Sequence, residues 1–71
     1  MENKLDLHGV KHEDVFRLIE NFILMNQKAM PLTIICGNSI KMVQIAEEAI
    51  KHVGCKTFSP NYGTIVIRDF S

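Results

Sequence analysis

The sequence predicts an α/β fold: a two-layer sandwich of order βαβαββ, whose mixed four-stranded sheet runs 1-2-4-3 with two helices on one face. Three observations point there. Short runs with strand character recur at residues 5–8, 32–36 and 64–68. Two intervening stretches carry apolar residues at helical spacing, and glycine or proline punctuates most boundaries between elements. Strand–helix–strand crossovers are almost always right-handed, so both helices must cover the same side of the sheet. The other side stays open.

Leu5-Asp6-Leu7-His8 alternates apolar and polar residues, the period of a half-buried strand, and Gly9 ends it. Val15, Leu18, Ile19, Phe22 and Ile23 then recur at i, i+3, i+4, i+7 and i+8, an amphipathic helix. Glu13 and Asp14 in its first turn suit the positive end of the helix dipole. Its N-cap is poor, because Lys11 or His12 stands where Ser or Asp would do best. Pro31 precedes Leu32-Thr33-Ile34-Ile35-Cys36, a β-branched run that reads as an inner strand. Gly37-Asn38-Ser39 forms a turn and offers two good N-cap residues to a second helix. That helix carries the stripe Met42, Ile45, Ala46, Ala49, Ile50 and Val53, and Gly54 stops it. Residues 55–59 read as a polar edge strand and Pro60-Asn61-Tyr62-Gly63 as a turn. Thr64-Ile65-Val66-Ile67-Arg68 is a strongly β-prone last strand, expected to run antiparallel between the second and third.

Seventy-one residues make a single domain spanning 1–71, and 46% hydrophobic residues suffice for its core. Cys36 and Cys55 make no disulfide framework. No secretory leader is seen and the apolar runs are short, so a soluble domain in the reducing cytoplasm is expected. Formal net charge is zero, against the basic surplus of a strong non-specific duplex binder. The charges are nonetheless uneven. Residues 1–27 hold Lys4, Lys11 and Arg17 against Glu2, Asp6, Glu13, Asp14 and Glu20. Residues 28–71 hold Lys28, Lys41, Lys51, Lys56 and Arg68 against Glu47, Glu48 and Asp69.

If Leu5 and Leu7 face the helices, Asp6 and His8 share the open face. Histidine transfers protons near neutral pH, and an adjacent carboxylate can orient it, so Asp6 and His8 are candidate catalytic residues. The alternative is a pair of polar residues on the solvent side of an edge strand. The first two strands should end side by side, each leading into a helix N-terminus, where free N–H groups and dipoles favour an anion. Asn38, Ser39, Ile40 and Lys41 could supply donors for developing phosphorane charge, and Gly63 and Thr64 should start at the same rim. Tyr62 could stack on a base there. Cys36 beside His8 invites a thiolate role, but a strand-end thiol is more often a packing residue. His12 reads as exposed on a first turn, His52 as lying near a helix C-terminus where its positive form is favourable, and Met25, Met30 and Met42 as core or loop packing. The histidines and cysteines lack zinc-ligand spacing, so no cofactor is expected, apart from Mg²⁺ if the domain is a nuclease.

Leu5-Asp6-Leu7-His8-Gly9 before a helix, Ile34-Ile35-Cys36-Gly37-Asn38-Ser39, and Tyr62-Gly63-Thr64-Ile65-Val66-Ile67 occur in that order. Together they resemble the Smr (small MutS-related) domain over about residues 4–69. The resemblance implies the fold of the C-terminal domain of translation initiation factor 3, DNA or RNA binding, and in some members endonuclease or nicking activity. Asp6, His8, Gly9 and Gly37 match the family's pattern. Cys36 stands where it usually has His or Thr, and Ser39 replaces the second Gly of its loop. Lys11 replaces a common capping hydroxyl, and the last loop is shorter. Binding therefore carries over more directly than catalysis.

The expected function is nucleic-acid binding, DNA binding or RNA binding, through Gly9, Gly37, Asn38, Ser39, Lys41, Gly63 and Thr64. Hydrolase activity would be carried by Asp6 and His8. Branched or single-stranded substrates are included. A second reading is a catalytically silent adaptor whose open sheet face, with Ile35 and Val66 between Asp6 and Arg68, binds a protein partner or a second copy. A third is a small acid–base enzyme acting on a phosphorylated metabolite, which would need a deeper pocket.

Overall fold

The computed structural model describes residues 3–70, with side chains through residue 68. Glu2 and the side chain of Asp69, both counted in the charge split, lie outside that description. The elements are β1 (Lys4–Asp6), α1 (His12–Met25), a 3-10 turn (Gln27–Ala29), β2 (Leu32–Ile35), α2 (Ile40–Val53), β3 (Cys55–Asn61) and β4 (Thr64–Phe70). The sheet order is β1-β2-β4-β3. β1 and β2 are parallel, and β4 runs antiparallel to both β2 and β3. The expected topology is the observed one.

Alternation along β2 and β4 sorts their residues into two faces, whereas β3 is exposed along most of its length. Leu7, Leu32, Ile34, Cys36, Ile65 and Ile67 are buried and meet the helices. α1 contributes Val15, Ile19 and Ile23, and α2 contributes Met42, Ala46, Ala49 and Ile50. The apolar stripe on α1 is narrower than its sequence pattern: Leu18 is exposed and Phe22 half-buried. Ala46 and Ala49 keep α2 slim along its buried face. No polar or charged residue is buried among the described residues. The core is held by apolar packing alone, the dominant favourable contribution in a domain of this size.

The helix ends follow their local chemistry. Lys11 is the N-cap of α1 and makes no capping hydrogen bond. Ser39 caps α2, its Oγ accepting from the Met42 N–H at 3.1 Å. Gly54 closes α2 in the left-handed conformation, φ 90° and ψ 42°.

Every strand differs from the sequence reading at a boundary, β2 by ending at Ile35 one residue short of Cys36. β1 ends at Asp6 rather than His8, because Gly9 at φ +79° closes a tight turn in which the Val10 N–H donates to the Leu7 carbonyl at 3.1 Å. β3 runs through Pro60 to Asn61 instead of stopping at Ser59. Proline is tolerated there because β3 is an edge strand, and the register shifts between Phe58 and Asn61. β4 continues to Phe70, two residues past Arg68. Met25, expected to pack, is 79% exposed at the end of α1. Among the described residues, no helix is long and apolar enough to cross a membrane.

Candidate functional site

Three tight turns converge at one end of the sheet: His8-Gly9 after β1, Gly37-Asn38 after β2, and Tyr62-Gly63 before β4. Register brings them together. Asp6 pairs with Ile35, and Ile35 with Thr64. Beyond those pairs the Leu7 N–H donates to the Ile35 carbonyl at 2.9 Å, and the Cys36 N–H donates to the Gly63 carbonyl at 2.6 Å.

His8 and Asp6 form the polar centre of this rim. The Asp6 Oδ1 accepts the His8 backbone N–H at 2.9 Å and lies 2.6 Å from the ring Nδ1. One carboxylate oxygen thus fixes both the backbone and the ring of the same histidine. The backbone bond first, then the ring bond, holds the Asp6 carboxyl below its ordinary value. Asp6 is therefore ionised at neutral pH, accepting a proton that sits on Nδ1. That arrangement leaves Nε2 as the ring's basic nitrogen. Both side chains are open to solvent, His8 at 67% and Asp6 at 58% exposure.

The glycines of the neighbouring turns shape the space around the ring. A Cβ on Gly37 would come 2.8 Å from the His8 Nε2, so only glycine keeps that nitrogen unobstructed. A Cβ on Gly63 would overlap the Gly37 carbonyl. Both glycines have positive φ, +74° and +85°, which other residues adopt only at a cost. His8, Gly37 and Gly63 thus form a stack drawn from three turns. The sequence places Gly37 only among the nucleic-acid-binding residues of the rim. The geometry gives it a second job, seating the histidine ring.

Gly9 also has positive φ, but its Cβ position is open space. Ser39 sits at φ −89°, an ordinary conformation for any residue, with its hydroxyl committed to the helix cap. Asn38 is exposed, and Thr64 is half-buried opposite Ile35. Lys41 lies in the first turn of α2. It lines a groove of the helix layer with Phe16, Gln44, Ile45 and Glu48.

The two helix N-termini are not equivalent as anion sites. α1 carries Glu13 and Asp14 in its first turn, whereas α2 carries no acidic residue in its own. An anion at the rim is therefore better placed over the start of α2.

Cys36 does not belong to the site. It is 3% exposed, on the core side of β2, and burial with Glu47 nearby pushes its thiol above the ordinary value. A neutral, buried thiol is a poor nucleophile, so the packing role holds. Among the described residues, no group of three or more His, Cys, Asp or Glu side chains could hold a metal ion. Sequence reasoning missed the contact of His8 with Gly37 and of Gly37 with Gly63. It also missed Phe58, 45% exposed beneath the Arg68 guanidinium.

Comparisons with protein-family models, with curated proteins and with solved structures found no match for this chain.

Proposed function

We propose that this chain is a Smr-like nucleic-acid-binding domain that takes a backbone phosphate at the rim and cleaves it as an endonuclease. The observation that carries the reading is the His8–Asp6 pair, 2.6 Å apart and open to solvent. An ionised Asp6 holds the Nδ1 proton, so Nε2 is the general base. Nε2 removes a proton from a water molecule, the water oxygen bonds to phosphorus, and one bridging P–O bond breaks. The departing oxygen takes its proton from solvent. Backbone N–H groups at the start of α2 stabilise the charge gathering on the phosphorane oxygens. Gly9, Gly37 and Gly63 hold the turns in place, Asn38, Ser39 and Thr64 border the phosphate, and Lys41 adds positive charge beside it.

Zero net charge and an open sheet face support a second reading, a non-catalytic adaptor holding a protein partner or a second copy. One experiment separates the two. Purified protein is incubated with labelled single-stranded, duplex and branched DNA and RNA, with and without Mg²⁺. The proposal expects binding and shortened product in at least one of these. Intact substrate throughout removes the endonuclease, and unbound substrate throughout removes the nucleic-acid reading and leaves the adaptor. Dependence on Mg²⁺ would mean that a cation joins the phosphate at the rim.

A further inference from the structure

The open face of the sheet carries a pattern that the rim does not use. Its cross-strand rows follow from the register. The row at the rim is Asp6, Ile35, Thr64 and Asn61, and the row below it is Lys4, Thr33, Val66 and Phe58. The pairing of β3 with β4 shifts register between Lys56 and Thr57, so the regular part of this face on β3 begins with the Phe58–Val66 pair. The Arg68 guanidinium lies 5.2 Å from the centroid of the Phe58 ring, so it too stands on this face. Phe58 remains 45% exposed under that cation. An aromatic ring on the uncovered side of a sheet, with Arg68 over it and Lys4 in the same cross-strand row, combines a stacking surface with positive charge. Among the described side chains, Asp6 is the acidic one in these rows, and it belongs to the rim.

We infer that this face is a platform for unpaired bases: single-stranded nucleic acid crosses it from the rim and stacks one base against Phe58 and Arg68. The inference rests on the nucleic-acid reading of the rim and names its substrate class. Charge selects an anionic polymer. A second copy docked face to face would bring the positive charge of Lys4 and Arg68 against an identical positively charged face. The exposed ring selects single strands, because bases inside a duplex have no π-face to offer. Reach fits as well. Three strand spacings and two residues of rise separate Asp6 from Phe58, about 16 Å between backbones, a span that a few nucleotides of an extended strand can cover. The phosphate at His8 and the stacked base thus belong to one strand.

The test uses the whole chain and its Phe58→Ala and Phe58→Trp variants, with thermal melting to confirm that each folds. Probes are labelled oligo(dT), oligo(U) and a blunt duplex of the same length. Parent protein should prefer the single strands. Phe58→Ala should weaken single-strand binding by roughly tenfold, the scale of one lost base–aromatic stack, and leave duplex binding unchanged. Phe58→Trp should restore it. Because the chain contains no tryptophan, the emission of the introduced indole should fall as the oligonucleotide is added. Equal single-strand affinity for Phe58→Ala and parent overturns the platform and leaves the rim reading intact. A parent that binds no probe overturns both. Self-association that Phe58→Ala abolishes, with nucleic-acid affinity unaltered, assigns the face to a second copy and overturns the platform.

Discussion

The Cα of Gly63 faces the Gly37 carbonyl so closely that a methyl group on Gly63 would overlap it. Two turns distant in sequence are locked together there, with the Cys36 N–H donating to the Gly63 carbonyl. The clash is with backbone, which cannot step aside as a flexible side chain can. Gly63→Ala should therefore cost roughly 2 kcal/mol or more, combining the positive-φ penalty with displacement of the turn. For a domain of this size that lowers the melting temperature by ~10 °C or more. Gly9→Ala is the control. It has a similar φ but open space around its Cβ, so only the conformational penalty of about 1 kcal/mol applies. Equal melting temperatures for the two variants would show that the Gly63–Gly37 contact does not hold the rim together.

Gly37→Ala should behave differently from both. Its new methyl group meets the His8 ring, which is exposed and can swing away. The stability loss should stay near that of Gly9→Ala. Any cleavage activity should fall about as far as it does in His8→Ala, because Nε2 is obstructed or displaced. The ¹H–¹⁵N correlations of the His8 ring give a direct readout. Unchanged ring resonances in Gly37→Ala would remove Gly37 from the histidine's seat.

These glycines show what a sequence can and cannot tell. Strand period, helical stripes and stop residues lie in local order, so the element sequence and the sheet order could be read in advance, whereas His8 meets Asp6 from a turn and not from the strand face expected for it. Ser39 was recognisable as one of two N-cap candidates, but its hydroxyl's commitment to Met42 was not. Contacts between turns depend on register and on the depth of each loop, which the residues do not spell out. Gly37 therefore reads from sequence only as one of the nucleic-acid-binding residues of the rim. Phe58 sits in a short, polar-looking strand, and only its pairing with Val66 reveals which face it occupies. Cys36 was legible as a packing residue because β2 alternates, placing it on the same side as Ile34.

The Asp6–His8 pair should leave a signature at acid pH. Hydrogen bonds from His8 lower the folded-state pKa of Asp6 below the ordinary 3.8. The stability linked to that shift is fully present above 3.8 and is lost as pH falls through the lower folded value. The stability advantage of the parent over Asp6→Asn should therefore shrink as the pH falls below about 4. Denaturant titrations across that range check it. A difference that grows toward low pH would contradict the pairing.

Binding at the rim should depend only shallowly on salt. With two or three basic groups meeting phosphates, the log–log slope for duplex DNA should be roughly −2 to −3. Lys41→Ala should weaken every sequence alike and reduce the slope by about one. Lys28→Ala and Lys51→Ala, far along the chain from the rim turns, serve as controls. If they abolish binding and Lys41→Ala leaves it untouched, the contact surface lies elsewhere.

The most direct test of the account is single-turnover cleavage of one labelled substrate by the parent, Asp6→Asn and His8→Ala proteins. Folding and binding are checked in parallel. Both side chains are exposed and outside the core, so all three proteins should fold and should bind within a few-fold of one another. His8→Ala should cut roughly a hundredfold more slowly or worse, the usual scale for losing a general base, and Asp6→Asn should lose the same or less. A folded His8→Ala protein that cuts as fast as the parent would contradict the assignment of His8 as the catalytic base.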